Sequence, residues 1–156
     1  MFKASYLYLA MASALLCSSA IADTAYVASE KAKKLTYDNI LIDTHIDVPY
    51  RLNKQWEDVT QATENGDFDY PRAKQGGLNA PFMSIYVPAS LDNSAESTAL
   101  ADKLIDFVEA IVGRAPDKFA IAKSTKDVEQ QFKQGLISLP MGMENGSPIQ
   151  GSLENL

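Results

Sequence analysis

One histidine occurs in the chain, His45, and it stands between two aspartates, Asp43 and Asp47, in the run ILIDTHIDVPYRL (residues 40–52). In an extended strand, residues i and i+2 point to the same side. Asp43, His45 and Asp47 are therefore expected on one face, with Thr44, Ile46 and Val48 on the other. A buried parallel strand is apolar on both faces. Three ionisable groups on one face are costly to bury unless a cation or hydrogen bonds compensate. A divalent metal is the simplest compensation, because imidazole nitrogen and carboxylate oxygen are both zinc ligands. His45 and Asp47 form a His-x-Asp pair that can converge on one ion at the strand's end. Asp43, one step deeper, is better placed to orient His45 than to bind. A histidine hydrogen-bonded to a neighbouring carboxylate at a loop edge would leave the same short pattern.

Glu144 is the second candidate. It follows the apolar run LISLPMGM (residues 136–143) and precedes Asn145-Gly146, a tight-turn pair. A carboxylate at the end of a neighbouring parallel strand lies in the same layer as His45 and Asp47. A solvated loop glutamate needs no such role. Asn145-Gly146-Ser147 also matches a glycosylation acceptor, a pattern too common by chance to carry weight. No G-x-S-x-G elbow exists to support a nucleophilic serine.

Positioning these side chains requires strands that end together. Residues 40–48 read as a buried strand bounded by Asn39 and Pro49, and residues 80–88 as a second strand ended by proline. Residues 136–143 read as a third, weakened by Pro140. A short helix is expected over residues 24–37, and over residues 50–68 a long polar loop with room for a helical turn. Pro71 and Gly76-Gly77 bracket one or two helical turns. The clearest helix begins near Asn93, a cap with Glu96 three residues on. It carries the stripe Leu100, Leu104, Phe107, Val108, Ile111 and ends at Gly113. That stripe is core packing. Another helix runs from Thr125 to Gln134, with Ser124 and Asp127 as its capping box and Gly135 as its stop. After Glu144 the run ENGSPIQGSLENL reads as a loop that opens a further helix, reached by Leu156 in mid-element. Strands alternating with helices imply an α/β fold with a parallel sheet, whose chemistry lies beyond the C-terminal strand ends.

The 156 residues are 46% hydrophobic and 22% charged, an ordinary globular composition. The net charge of −6, with no basic patch, argues against nucleic acid or an anionic membrane surface as a partner. Residues 1–22 read as a secretory signal peptide: Lys3, a short apolar core, then Ala20-Ile21-Ala22 before a cut at Asp23. The apolar run falls short of the ~20 residues that cross a bilayer, so no stable membrane span is expected after cleavage. Lipoprotein anchoring through Cys17 is disfavoured by the bulky Leu16 before it. Cys17 leaves with the signal, and the mature chain then has no cysteine and a net charge of −7.

Three blocks, LIDTHIDVPYRL, FDYPRAKQGGLNAPFMSIYVP and LISLPMGMENGSPIQGSLENL, resemble successive blocks of the membrane dipeptidase (renal dipeptidase) family in its bacterial exported form. They span most of residues 40–156, in the family's order. The resemblance implies a (β/α)8 barrel with two zinc ions. His45 and Asp47 match first-strand ligands, and Glu144 matches the carboxylate that bridges the metals. It implies hydrolysis of dipeptides, some with a C-terminal D-residue, by hydroxide held between the zincs, in a periplasmic enzyme that can be a homodimer. The family closes its second zinc site with two later histidines and surrounds its substrate with further histidine, arginine and aspartate residues. This chain has one histidine, so these catalytic residues are expected downstream of Leu156. A barrel of this kind needs about 250 residues. The expectation is an N-terminal portion with about three of eight strands, truncated and inactive alone.

Two other readings remain open at this point. A barrel amidohydrolase acting on rings would usually carry H-x-H where this chain has Asp47. A secreted binding module without catalysis would fold as a compact domain indifferent to chelators.

Overall fold

The computed structural model describes residues 27–92 and 94–155. The signal peptide expected over residues 1–22, the start of the expected first helix and the Asn93 cap lie outside these residues. So does Leu156, the position beyond which the remaining catalytic residues are expected. Helix α1 (Glu30–Asp38) is capped by Ser29, whose side chain accepts the Ala32 N–H. Strand β1 (Leu41–Ile46) follows directly and gives way to helix α2 (Val48–Lys54). That helix replaces the start of the loop expected over residues 50–68. Pro49 does not simply end the strand. It sits in the first turn of α2, where its missing N–H costs nothing.

Helix α3 (Tyr70–Gly76) begins at Asp69 and ends at Gly77, as its proline and glycine pair predict. Gly77 has φ 76°, and an added Cβ would lie 3.0 Å from Thr36 of α1. Strand β2 (Leu78–Tyr86) leads through a short 3-10 turn into helix α4 (Ala95–Arg114), with Ser94 at the capping position. Strand β3 (Phe119–Ile121), helix α5 (Thr125–Lys133), strand β4 (Ile137–Leu139) and strand β5 (Met141–Glu144) follow in order. The Ser124 side chain accepts the Asp127 N–H, which is the expected cap of α5. Where a further helix was expected to open before Leu156, the described residues form two short 3-10 turns, Ser147–Ile149 and Leu153–Asn155. Pro148 sits in the first of them, and Gly151 separates the two with φ 73°.

All strand pairs among the described residues are parallel. One sheet runs β1-β2-β5, and β3 pairs with β4 separately. The three expected strands therefore become five segments. β3 has only three residues, too few to show a period. The single strand expected over residues 136–143 is split at Pro140, which has no N–H to give the ladder. Its carbonyl accepts the Met83 N–H at 2.8 Å, so the chain still runs on from the β3 neighbour to the β2 neighbour.

Alternation along β2 divides the molecule. Met83, Ile85 and Val87 are buried and meet Leu104, Val108 and Ile111 of α4 in one core with Phe119, Ile137 and Leu139. Leu100 and Phe107 of the stripe pack at its margin. Each fully buried side chain of this kind contributes roughly 1.5–3 kcal/mol. Phe82, Ser84 and Tyr86 take the opposite side, toward the ends of β1 and β5. The expectation of a buried β1 is corrected: Leu41 to His45 are exposed. β1 is a sheet edge, hydrogen-bonded to β2 alone among the described residues.

The segment between α2 and α3 is held by two arginines. Arg51 of α2 donates to Glu57 at 2.6 Å and to the Asn65 and Phe68 carbonyls. Arg72 of α3 donates through Nε to Asp69 at 2.8 Å and reaches Thr63 and the Gly66 carbonyl. Asp69 is 1% exposed. Burial alone would push its carboxyl up. The Arg72 side chain, with the Arg72 and Thr63 backbone N–H groups, outweighs burial and holds the group well below the usual carboxylate range. Glu57 is lowered in the same sense, with Asn65 and Arg51 outweighing desolvation.

Candidate metal centre

The ends of β1 and β5 bring together the three residues singled out as ligands. His45 Nε2 lies 3.3 Å from Asp47 Oδ1 and 3.1 Å from Glu144 Oε2. One ligand atom from each of the three residues lies within 4.8 Å of both others. The carboxylates come from segments about a hundred residues apart in sequence, joined across the sheet by β2. Tyr86 of β2 pairs with Glu144, and Met83 pairs with Ile46.

The route by which Asp47 arrives differs from the strand argument. β1 ends at Ile46, and Asp47 is the residue before helix α2, with φ −87° and ψ 32°. Aspartate at this position normally accepts an N–H of the first helical turn. Here the carboxylate makes no such bond and turns to His45 instead. The β1–β2 register is irregular between Asp43 and Ile46. Asp43 accepts the backbone N–H of His45 at 2.9 Å, within that irregular stretch. Asp43 therefore fixes the main chain at His45 rather than its imidazole ring.

Glu144 is held from two sides. Ser84 Oγ of β2 donates to Glu144 Oε2 at 2.8 Å. The next residue, Asn145, has φ 66°; its side-chain amide donates to the Val87 carbonyl and accepts the Ser147 N–H. Sequence reasoning missed Ser84. The available signal was a serine among apolar residues of a strand, two positions from Phe82 and Tyr86.

Surface ion pairs contribute only about 0–1 kcal/mol. The side chains of His45, Asp47 and Glu144 are 52%, 61% and 41% exposed, so stability gives little reason for their convergence. Both carboxylates face the same ring nitrogen, which has at most one hydrogen to offer them. The donor set suits a divalent cation: one imidazole nitrogen and two carboxylates whose charge balances it. Tetrahedral zinc with ligands near 2.1 Å sets neighbouring donors about 3.4 Å apart. The two separations to His45 lie close to that. A cavity of about 200 Å³ opens beside the cluster, lined by Thr44, His45, Phe82, Ser84, Gly142 and Glu144 among others.

Residues 29–156 match the family described as "Membrane dipeptidase (Peptidase family M19)". This chain belongs to the membrane dipeptidase family. It is 32% identical over 126 residues to Dipeptidase ataJ of Aspergillus terreus, covering 73% of this chain and 31% of that protein. The probable dipeptidase PvdM from Pseudomonas aeruginosa superposes with TM-score 0.66 at 20% identity, over 80% of this chain and 33% of that one. A metallo peptidase from Rhodobacter sphaeroides, solved with a phosphinate mimic of the dipeptide L-Ala-D-Ala, gives TM-score 0.62 at 20% identity, over 70% and 39%. The chain spans about a third of the length of the curated relatives it matches. Its α/β fold of parallel strands and helices is that of part of the (β/α)8-type barrel of these dipeptidases. No helix among the described residues is long and apolar enough to cross a membrane.

Proposed function

We propose that this chain forms part of an exported, zinc-dependent dipeptidase and supplies His45, Asp47 and Glu144 to its two-ion centre. The observation that supports this most strongly is the convergence of those three side chains at the strand ends of a membrane dipeptidase chain. When bound, zinc supplies Lewis-acid polarisation of a carbonyl and lowers the pKa of a bound water to about 7. The residues of this chain do the rest of what is assigned to it. His45 offers Nε2 in its neutral form, and Asp47 and Glu144 offer negative charge that balances a divalent ion. Glu144, with two carboxylate oxygens, would be able to serve two ions as well as one. Asp43 steadies the backbone that carries His45. Dipeptides, including those ending in a D-residue, are the proposed substrates, in keeping with the L-Ala-D-Ala mimic on the Rhodobacter relative.

Removal of residues 1–22 and a periplasmic location belong to the same proposal, as does the supply of the remaining ligands and catalytic groups from sequence downstream of Leu156. With three protein ligands and one histidine, the chain alone is expected to bind zinc weakly and to turn over no dipeptide. Equilibrium dialysis against zinc, alongside a dipeptide hydrolysis assay, tests both points. Saturable zinc uptake that disappears in His45→Ala, with background hydrolysis, is the expected result. Absence of zinc uptake would overturn the metal assignment. Turnover matching a full-length family member would overturn the claim of inactivity.

A further inference from the structure

We infer that Ser84 is a positioning residue for Glu144, its hydroxyl fixing which carboxylate oxygen is presented beside His45. The inference rests on the metal reading above. Ser84 is 3% exposed, yet the one described hydrogen bond of its hydroxyl goes to a side chain that is 41% exposed, Glu144. The pairing of β2 with β5 explains how they meet. Ser84 lies opposite Gly142, and Tyr86 lies opposite Glu144. Ser84 and Glu144 are thus diagonal neighbours on one face, and Gly142, two positions before Glu144 on that face of β5, has no side chain. Beyond its own chain neighbours, a Cβ on Gly142 would come no closer than 3.8 Å to another residue, the ring of Phe82. The long glutamate side chain leans back over this gap to the serine.

The consequence is selective. Oε2 receives the Ser84 hydrogen at 2.8 Å and also faces His45 Nε2 at 3.1 Å. A hydroxyl hydrogen on one lone pair of Oε2 leaves its other lone pair for a cation shared with His45. Oε1 would then be the oxygen available to a second ion. Without Ser84, the glutamate torsions are free to rotate at this exposed strand end. Loss of a partner that orients a ligand typically lowers metal affinity 10–100-fold.

The test is titration of the purified chain with Co2+ alone, read by its visible absorption, and with Zn2+ by competition. Ser84→Ala is expected to weaken both affinities about tenfold and to alter the cobalt spectrum. Ser84→Thr keeps the hydroxyl and is expected to restore both. Unfolding of the metal-free variants, followed by circular dichroism, shows whether each is folded. Ser84→Ala binding cobalt with wild-type affinity and spectrum would overturn the inference while leaving the metal centre standing. Ser84→Thr behaving like Ser84→Ala in a folded chain would also overturn it. Failure of the wild-type chain to bind either ion would remove the metal reading and the inference together.

Discussion

Replacing Asp69 by asparagine removes the charge at the centre of the network that ties Thr63, in the segment after α2, to Arg72 of α3. The carboxylate accepts the Arg72 N–H at 2.8 Å through Oδ1, and Arg72 Nε and the Thr63 N–H at 2.8 and 2.9 Å through Oδ2. Asparagine keeps one acceptor and turns a donor toward groups that are themselves donors. Removing one member of a buried ion pair costs about 3–5 kcal/mol. Arg72 is 39% exposed, so water recovers part of the loss, and about 3 kcal/mol is expected. For a chain of this size that is a fall of roughly 10 °C in Tm. The pH dependence gives a second readout. The folded carboxyl sits below its unfolded value, so its stabilisation is complete above about pH 4. It is lost as pH falls toward the folded value, at up to about 1.4 kcal/mol per pH unit for one proton. Urea unfolding from about pH 2 to about pH 7 should show the variant less stable at neutral pH and flatter on the acid side by one proton. A change under about 0.5 kcal/mol, or an unaltered acid limb, would refute the assignment of this network.

Gly66 has φ 70°, and an added Cβ would stand 2.7 Å from the Arg51 guanidinium carbon. Gly66→Ala should therefore lower stability by roughly 2 kcal/mol in denaturant titration, through backbone strain and displacement of Arg51. At Asn145, with φ 66°, alanine loses both the side-chain anchors and the tolerance for this conformation. Glycine loses only the anchors, so Asn145→Gly should be about 1 kcal/mol more stable than Asn145→Ala in the same measurement. Ser124→Ala removes the cap of α5 and should cost about 1 kcal/mol, seen as a lower urea midpoint with unchanged slope.

What the sequence disclosed divides along physical lines. Helices α3, α4 and α5 carry stop or cap residues, and α4 a periodic stripe as well, so their positions were legible to within a few residues. The proximity of Glu144 to His45 was legible too, because parallel strands end in one layer. β3 was missed because three residues have no period and its pairing with β4 is set by tertiary contact. α2 was misread because a proline after an apolar run ends a strand or starts a helix, and only the local chain direction decides. Asp47 reached His45 from a helix start rather than from the strand face. Ser84 escaped notice because its meaning comes from a diagonal neighbour sixty residues away, across a glycine.

The central claim is that His45, Asp47 and Glu144 grip one cation. Anomalous X-ray scattering at the zinc edge, from crystals of the chain grown with zinc, tests it most directly. The account predicts a peak about 2.0–2.2 Å from His45 Nε2 and from an oxygen of each carboxylate. A zinc peak bound by other residues, with this cluster left as a bare ion pair, would contradict it.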